Sequence, residues 1–121
     1  MIVINDGTDL DSGPMDEEQF IDAYAAFVAT VRKTHPGAFI LLSESNFQTD
    51  GSDGRPRTQR DKLLRTIEAV AKQCHSAGDA RIRVIRTGYQ PGTPTDTHPV
   101  AFQHEQIAKD FLGPIREVTG W

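Results

Sequence analysis

Apolar and polar positions alternate between two periods over six successive segments of this chain. Ile2-Val3-Ile4 is an unbroken β-branched run, the pattern of a strand covered on both faces. After a polar break the spacing becomes helical: Phe20, Ala23, Tyr24, Phe27, Val28 and Val31 recur along one side. Asp16 with Gln19 resembles a capping box, Glu17 and Glu18 suit a first turn, and Arg32 and Lys33 a last one before Pro36-Gly37. Ala38 to Leu42 reads as a second strand. A second helix puts Leu63, Leu64, Ile67, Val70, Ala71 and Cys74 on one face and stops at Gly78. Arg81 to Ile85 is a third strand, whose alternating arginines predict an exposed sheet edge. The last helix, from near Pro99, aligns His104, Ile107, Ala108, Phe111, Leu112, Ile115 and Val118 as an inward face, with a kink or restart expected at Pro114.

Strand and helix therefore alternate three times. Such alternation predicts right-handed βαβ units and an α/β fold on a parallel sheet. Ligands bind such sheets beyond the carboxyl ends of the strands. Topology gathers three polar loops there: 5–14, 43–57 and 87–98.

The 121 residues suffice for one domain, and 25% charged residues with a net charge of −4 give no clustered basic face for nucleic acid. No apolar run reaches membrane-spanning length. The single Cys74 cannot form an internal disulfide and reads as a small core hydrophobe, so cysteine usage leaves the compartment open.

Candidate chemistry concentrates in Thr93-Pro94-Thr95-Asp96-Thr97-His98-Pro99. Two readings apply. Thr97 or His98 caps the last helix, with Pro99 at its first position. Alternatively, Asp96 and His98 bring a carboxylate and an imidazole together as an oriented base.

Val3-Ile4-Asn5-Asp6-Gly7-Thr8-Asp9 resembles the third sequence block of the SGNH/GDSL hydrolases, a strand running into Gly-Thr-Asn-Asp. Gly13-Pro14, Phe20, Tyr24, Arg32 and His35-Pro36 are similar to the helix that follows it, and Asp96-Thr97-His98-Pro99 with His104 and Gly120-Trp121 to the final block. The likeness is to the branch that removes acetyl groups from sugars. It implies a flavodoxin-like, three-layer αβα parallel-sheet fold of order βαβαβα over residues 1–121. It also implies a small acyl ester or acetylated carbohydrate as substrate, with no cofactor, metal, nucleic acid or membrane. His98 would be the base and Asp96 its orienter, with Gly7 and Asp9 on the oxyanion side.

Two departures stand out. Asp9 occupies the position where the family has an oxyanion-donating asparagine. A carboxylate donates nothing there, and losing one such donor costs about 3 kcal/mol of transition-state stabilisation. The family's nucleophile block, Gly-Asp-Ser or a variant on the first strand, is missing, and none of Ser12, Ser43, Ser45, Ser52 and Ser76 has its context. The resemblance thus implies the C-terminal part of an SGNH domain, without its first strands. The edge of Ile2 to Asn5 is then expected to stay open, or to pair with a second copy or a missing N-terminal segment. The alternative to an esterase is a non-catalytic remnant or interaction module.

Other groups read more plainly. Asp6, Asp9, Asp11 and Asp96 suit turns and caps better than a cation site. Asp6-Gly7-Thr8 echoes the aspartate-based phosphatases, but Ile4 stands where their nucleophile would be. Arg55, Arg57, Arg60 and Arg65, interspersed with Asp50, Asp53 and Asp61, read as a solvated face. His35 and His75 read as helix-end residues, and His104 as a packed one.

Overall fold

The computed structural model describes residues 1–5, 16–93, 95 and 98–121, leaving aside the side chain of Asn5. Its elements follow the expected order: β1 (Ile2–Asn5), α1 (Glu17–Thr34), β2 (Ile40–Ser43), α2 (Thr58–Ser76), β3 (Ile82–Ile85) and α3 (Ala101–Thr119). The three strands form one parallel sheet in the order β1-β2-β3. Ile2, Ile40 and Ile82 are in register across it, as are Val3, Leu41 and Arg83.

Two consecutive right-handed crossovers in one direction place α1 and α2 on the same face of the sheet. There Ile40, Leu42 and Ile82 pack with Leu63, Ile67 and Val70 of α2 and with Tyr24 and Val28 of α1. The face of α2 matches the predicted one. That of α1 is rotated: Ile21 and Ala25 join the core, whereas Ala23 and Phe27 point outward, Phe27 being 51% exposed. Tyr24 and Val28 set the centre of the buried stripe, and Phe27 falls off its side. Leu41 and Ile85 are buried on the sheet's other face. β1 and β3 are the edge strands, as Arg83 foretold, and Val3 is 41% exposed against 0% for its neighbour Leu41. Among the described residues β1 has a strand partner on one side only.

Asp16 caps α1, its carboxylate accepting from the N–H groups of Glu18 and Gln19. His35 is the C-terminal cap, and Gly78 (φ 92°) follows α2 in the left-handed region that glycine tolerates. His75 Nε2 donates to the Ile82 carbonyl at 3.0 Å, so it ties the end of α2 to the start of β3. α3 runs through Pro114 as one helix. Its predicted inward face is only partly covered: Ile107, Phe111, Ile115 and Val118 are half-buried, whereas Leu112 and His104 are exposed. His104 is therefore a surface residue rather than a packed one. No helix among the described residues is long and apolar enough to cross a membrane.

At the amino end of the sheet Arg32 closes the structure. Its Nε and Nη2 donate to the two Asp79 oxygens at 2.7 and 3.1 Å, while Nη1 donates to the Ala38 carbonyl at 2.6 Å. One side chain thus joins α1, the approach to β2 and the α2–β3 turn. Burial pushes the Asp79 carboxyl up, but the Arg32 hydrogen bonds, the Arg81 N–H and the Arg32 charge outweigh it, and the net shift is downward. A carboxyl with a lower pKa folded than unfolded stabilises the fold above its unfolded value and loses that contribution as pH falls through the folded one. The stability gap between wild type and Asp79→Asn is therefore expected to be full near neutrality and to shrink below about pH 4. Thermal unfolding of both proteins from pH 7 to pH 2 measures it, and a gap that stayed constant would contradict the assignment.

Candidate functional site

Beyond the carboxyl ends of β2 and β3 the chain buries polar groups instead of apolar ones. Ser43, Glu44, Ser45, Asn46 and Thr87 are each at most 5% exposed. Arg60, from the first turn of α2, reaches into this layer and pairs with Glu44 at 2.7 Å. The same guanidinium donates to the Gln48 carbonyl at 3.0 Å and to that of Thr87. Glu44 Oε1 in turn accepts the Thr87 N–H at 3.0 Å. Both backbone groups of Thr87 are thus held by one buried ion pair. The two loops are also joined directly, Gln90 N–H donating to the Asn46 carbonyl at 2.9 Å. Among the described residues Glu44 Oε2, Asn46 Nδ2 and Thr87 Oγ1 are buried without a hydrogen-bond partner. Such atoms are uncommon in protein interiors and concentrate at functional positions or ordered-water sites.

The outer rim is ordered by Asp53. It accepts from Thr49 Oγ1 at 2.7 Å, from Arg55 Nε at 2.9 Å and from the Tyr89 hydroxyl at 2.9 Å. The hydrogen bond from Arg55, then that from Thr49, holds its carboxyl far below the usual carboxylate range. Burial, then the hydrogen bond to Asp53, pushes the Tyr89 phenol up. A second tie comes from α3, whose Asp110 accepts the Gly88 N–H at 2.7 Å.

His98 lies in the third polar loop, exposed, with its ring and that of Phe47 nearly perpendicular, at 6.1 Å between centroids and 81° between planes. It does not cap the helix: the N-terminal cap of α3 is Val100. Val100 has no side-chain acceptor. Gln103 reaches back instead, accepting the Val100 N–H at 2.9 Å and donating to the Gly92 carbonyl at 3.2 Å. The start expected near Pro99 moves two residues on, which leaves His98 in the loop that faces Phe47. Asp96, Gly7 and Asp9 lie outside the described residues, as do Asp6 and Asp11 of the cation-site reading. Among the described residues no group of three or more histidine, cysteine or acidic side chains is placed to hold a metal.

The structure corrects the reading of one arginine. Arg55, Arg57 and Arg65 are exposed and paired with Asp53, Asp61 and Glu17. Arg60, between them in sequence, is 6% exposed and belongs to the buried layer. Its signal was present in the spacing: Arg60 precedes Leu63, Leu64 and Ile67 by three, four and seven residues and so shares their face. Glu44 gave less warning, being one polar residue among several after a strand. Two serines are also disposed of. Ser43 is fully buried with its hydroxyl donating to the Glu44 carbonyl, and Ser45, 2% exposed, accepts the Phe47 N–H at 3.3 Å.

Comparison with known proteins decides the ancestry. No protein-family model matches the chain. An acetylxylan esterase / glucomannan deacetylase from Cellvibrio japonicus is 27% identical over 113 residues, 93% of this chain and 29% of that protein. A family two carbohydrate esterase from Cellvibrio japonicus superposes with a TM-score of 0.80 at 27% identity, over 98% of this chain and 33% of its own. The family two carbohydrate esterase from Clostridium thermocellum, solved in complex with cellohexaose, superposes with a TM-score of 0.84 at 25% identity, over 99% of this chain and 36% of its own.

The chain is a relative of the family two carbohydrate esterases. It has their SGNH-type α/β fold, and it spans about a third of the length of each of these three proteins.

Proposed function

We propose that these residues carry the histidine–aspartate half of an SGNH-type esterase that removes acetyl groups from carbohydrate. What supports it most is the likeness to carbohydrate esterases across 93% or more of the chain; His98, for its part, lies in the loop after β3 and is not the cap of α3. In this reading His98 takes the proton of a serine hydroxyl as its oxygen bonds to the acetyl carbon. Asp96 holds the opposite ring nitrogen, fixing the tautomer and stabilising the imidazolium. The imidazolium then returns the proton to the departing sugar oxygen as the ester bond breaks, and water attacks the acyl-enzyme by the same route. Gly7 lines the oxyanion side. Ser43 and Ser45 are buried and no serine of the chain follows Gly-Asp as the family's nucleophile does, so in this reading the nucleophile comes from sequence outside these 121 residues or from a partner. Acetate release from acetylated xylan tests the reading, measured for the chain alone, joined to its neighbouring coding sequence, and with His98→Ala in each background.

A second reading, a non-catalytic module, draws on Asp9. A carboxylate beside a forming oxyanion opposes the reaction, so Asp9→Asn separates the two. In an esterase it is expected to raise turnover by about 10²-fold, the worth of one restored donor. In a module that lost the chemistry, acetate release stays at background with either residue.

A further inference from the structure

The buried ion pair does more than close the core. Among the described residues the side chains of Glu44 and Arg60, apart from their bond to each other, hold backbone groups of the two loops that carry Phe47 and His98. Glu44 Oε1 and Arg60 hold Thr87, the first residue of the segment leading to His98, by its N–H and its carbonyl. Arg60 also holds the Gln48 carbonyl, and Gln90 N–H holds that of Asn46. Phe47 sits between those two anchored residues, and its ring meets the imidazole at nearly a right angle. An ion pair this deeply buried contributes little net stability over apolar residues of the same size, which turns attention to what it specifies.

We propose that Glu44 and Arg60 are positioning residues for His98, setting the imidazole's orientation through the Thr87 backbone and the Phe47 ring. Only the consequence for turnover rests on the esterase reading; the geometric coupling does not. Restraining the Thr87–His98 segment from its root and the 44–48 loop from both sides of Phe47 leaves the imidazole a defined wall to pack on. Holding a base within a fraction of an ångström of its productive place is work for such supporting groups.

The test is nuclear magnetic resonance on the labelled chain, reading the four histidine rings and the cross-relaxation between Phe47 and His98. Glu44→Met/Arg60→Met removes both charges together, so no unpaired charge is stranded and cooperative folding is expected to survive. In that variant the Phe47–His98 contact is expected to be lost and the His98 ring resonance to move, while those of His35 and His104 stay in place. Asp79→Asn, which breaks the other clamp at the far end of the sheet, is expected to leave His98 unmoved. An intact contact and an unmoved His98 in the double variant would overturn the proposal, as would an equal movement of His98 in Asp79→Asn. Should the double variant not fold, Glu44→Gln is read by the same criteria. In a protein with turnover, the double variant is expected to lower kcat with KM held. If His98→Ala leaves turnover unchanged, the esterase reading fails and the coupling stands. If His98→Ala abolishes turnover but the double variant leaves the ring in place, the coupling fails and the esterase reading stands.

Discussion

Arg60→Ala is expected to destabilise the fold by about 3–5 kcal/mol, the range found when one partner of a buried ion pair is removed. The loss comes less from the attraction given up than from what stays behind. Glu44 is 1% exposed, and among the described residues one of its oxygens already lacks a partner. Without Arg60 the carboxylate keeps the Thr87 N–H and nothing of opposite charge, and the Gln48 and Thr87 carbonyls lose the guanidinium as well. Surface pairs of the same chain set the contrast. Arg57–Asp61 at 2.9 Å has both side chains about half exposed, and removing Arg57 is expected to change stability by less than about 1 kcal/mol. Urea unfolding of the two variants side by side checks the difference. An Arg60→Ala loss no larger than that of Arg57→Ala would mean that water reaches Glu44, and the buried layer would have to be described again.

That contrast also shows what the sequence could and could not disclose. Element order and sheet type were legible because period alone separates β-branched runs from helical stripes, and Asp16, Pro36 and Gly78 punctuate them. The core face of α2 was legible for the same reason. The face of α1 was not, because Phe27 and Val28 are adjacent and both apolar, and only packing against α2 chooses between them. Arg60 was misread because charge was weighed before position: a guanidinium on the Leu63/Ile67 face has to go inward. In α3 the apolar stripe is real, but His104 does not share its partial cover. For the candidate site the gain was uneven. His98 could be singled out from Asp96-Thr97-His98-Pro99, yet its ring partner Phe47 lies fifty-one residues earlier, and no local rule joins them. The Glu44–Arg60–Thr87 layer was invisible because it is assembled from three separate elements by tertiary contact alone.

His98→Ala is expected to lower acetate release by about 10²- to 10⁴-fold in any protein in which these residues act, the range attributed to a positioned general base. The loss should fall on kcat with KM nearly kept, because the imidazole takes a full proton only as the serine attacks, and the free hydroxyl needs no such help to let the sugar bind. Asp96→Asn should follow the same pattern: a neutral amide no longer selects the tautomer, and the cost in a comparable triad is about 10⁴-fold. Because base and orienter act as one unit, the double variant should be hardly worse than His98→Ala alone. His104→Ala supplies the internal control. Histidine occurs in both places within the same final block, but His104 projects to solvent from α3, and its removal should leave turnover within a factor of about two, in keeping with a surface substitution away from any special feature. Initial rates on an acetylated oligosaccharide across a range of concentrations resolve kcat from KM for each variant. A His98→Ala protein that retained wild-type kcat would take the base from residue 98, and a loss shared equally with His104→Ala would assign the effect to α3 as a whole.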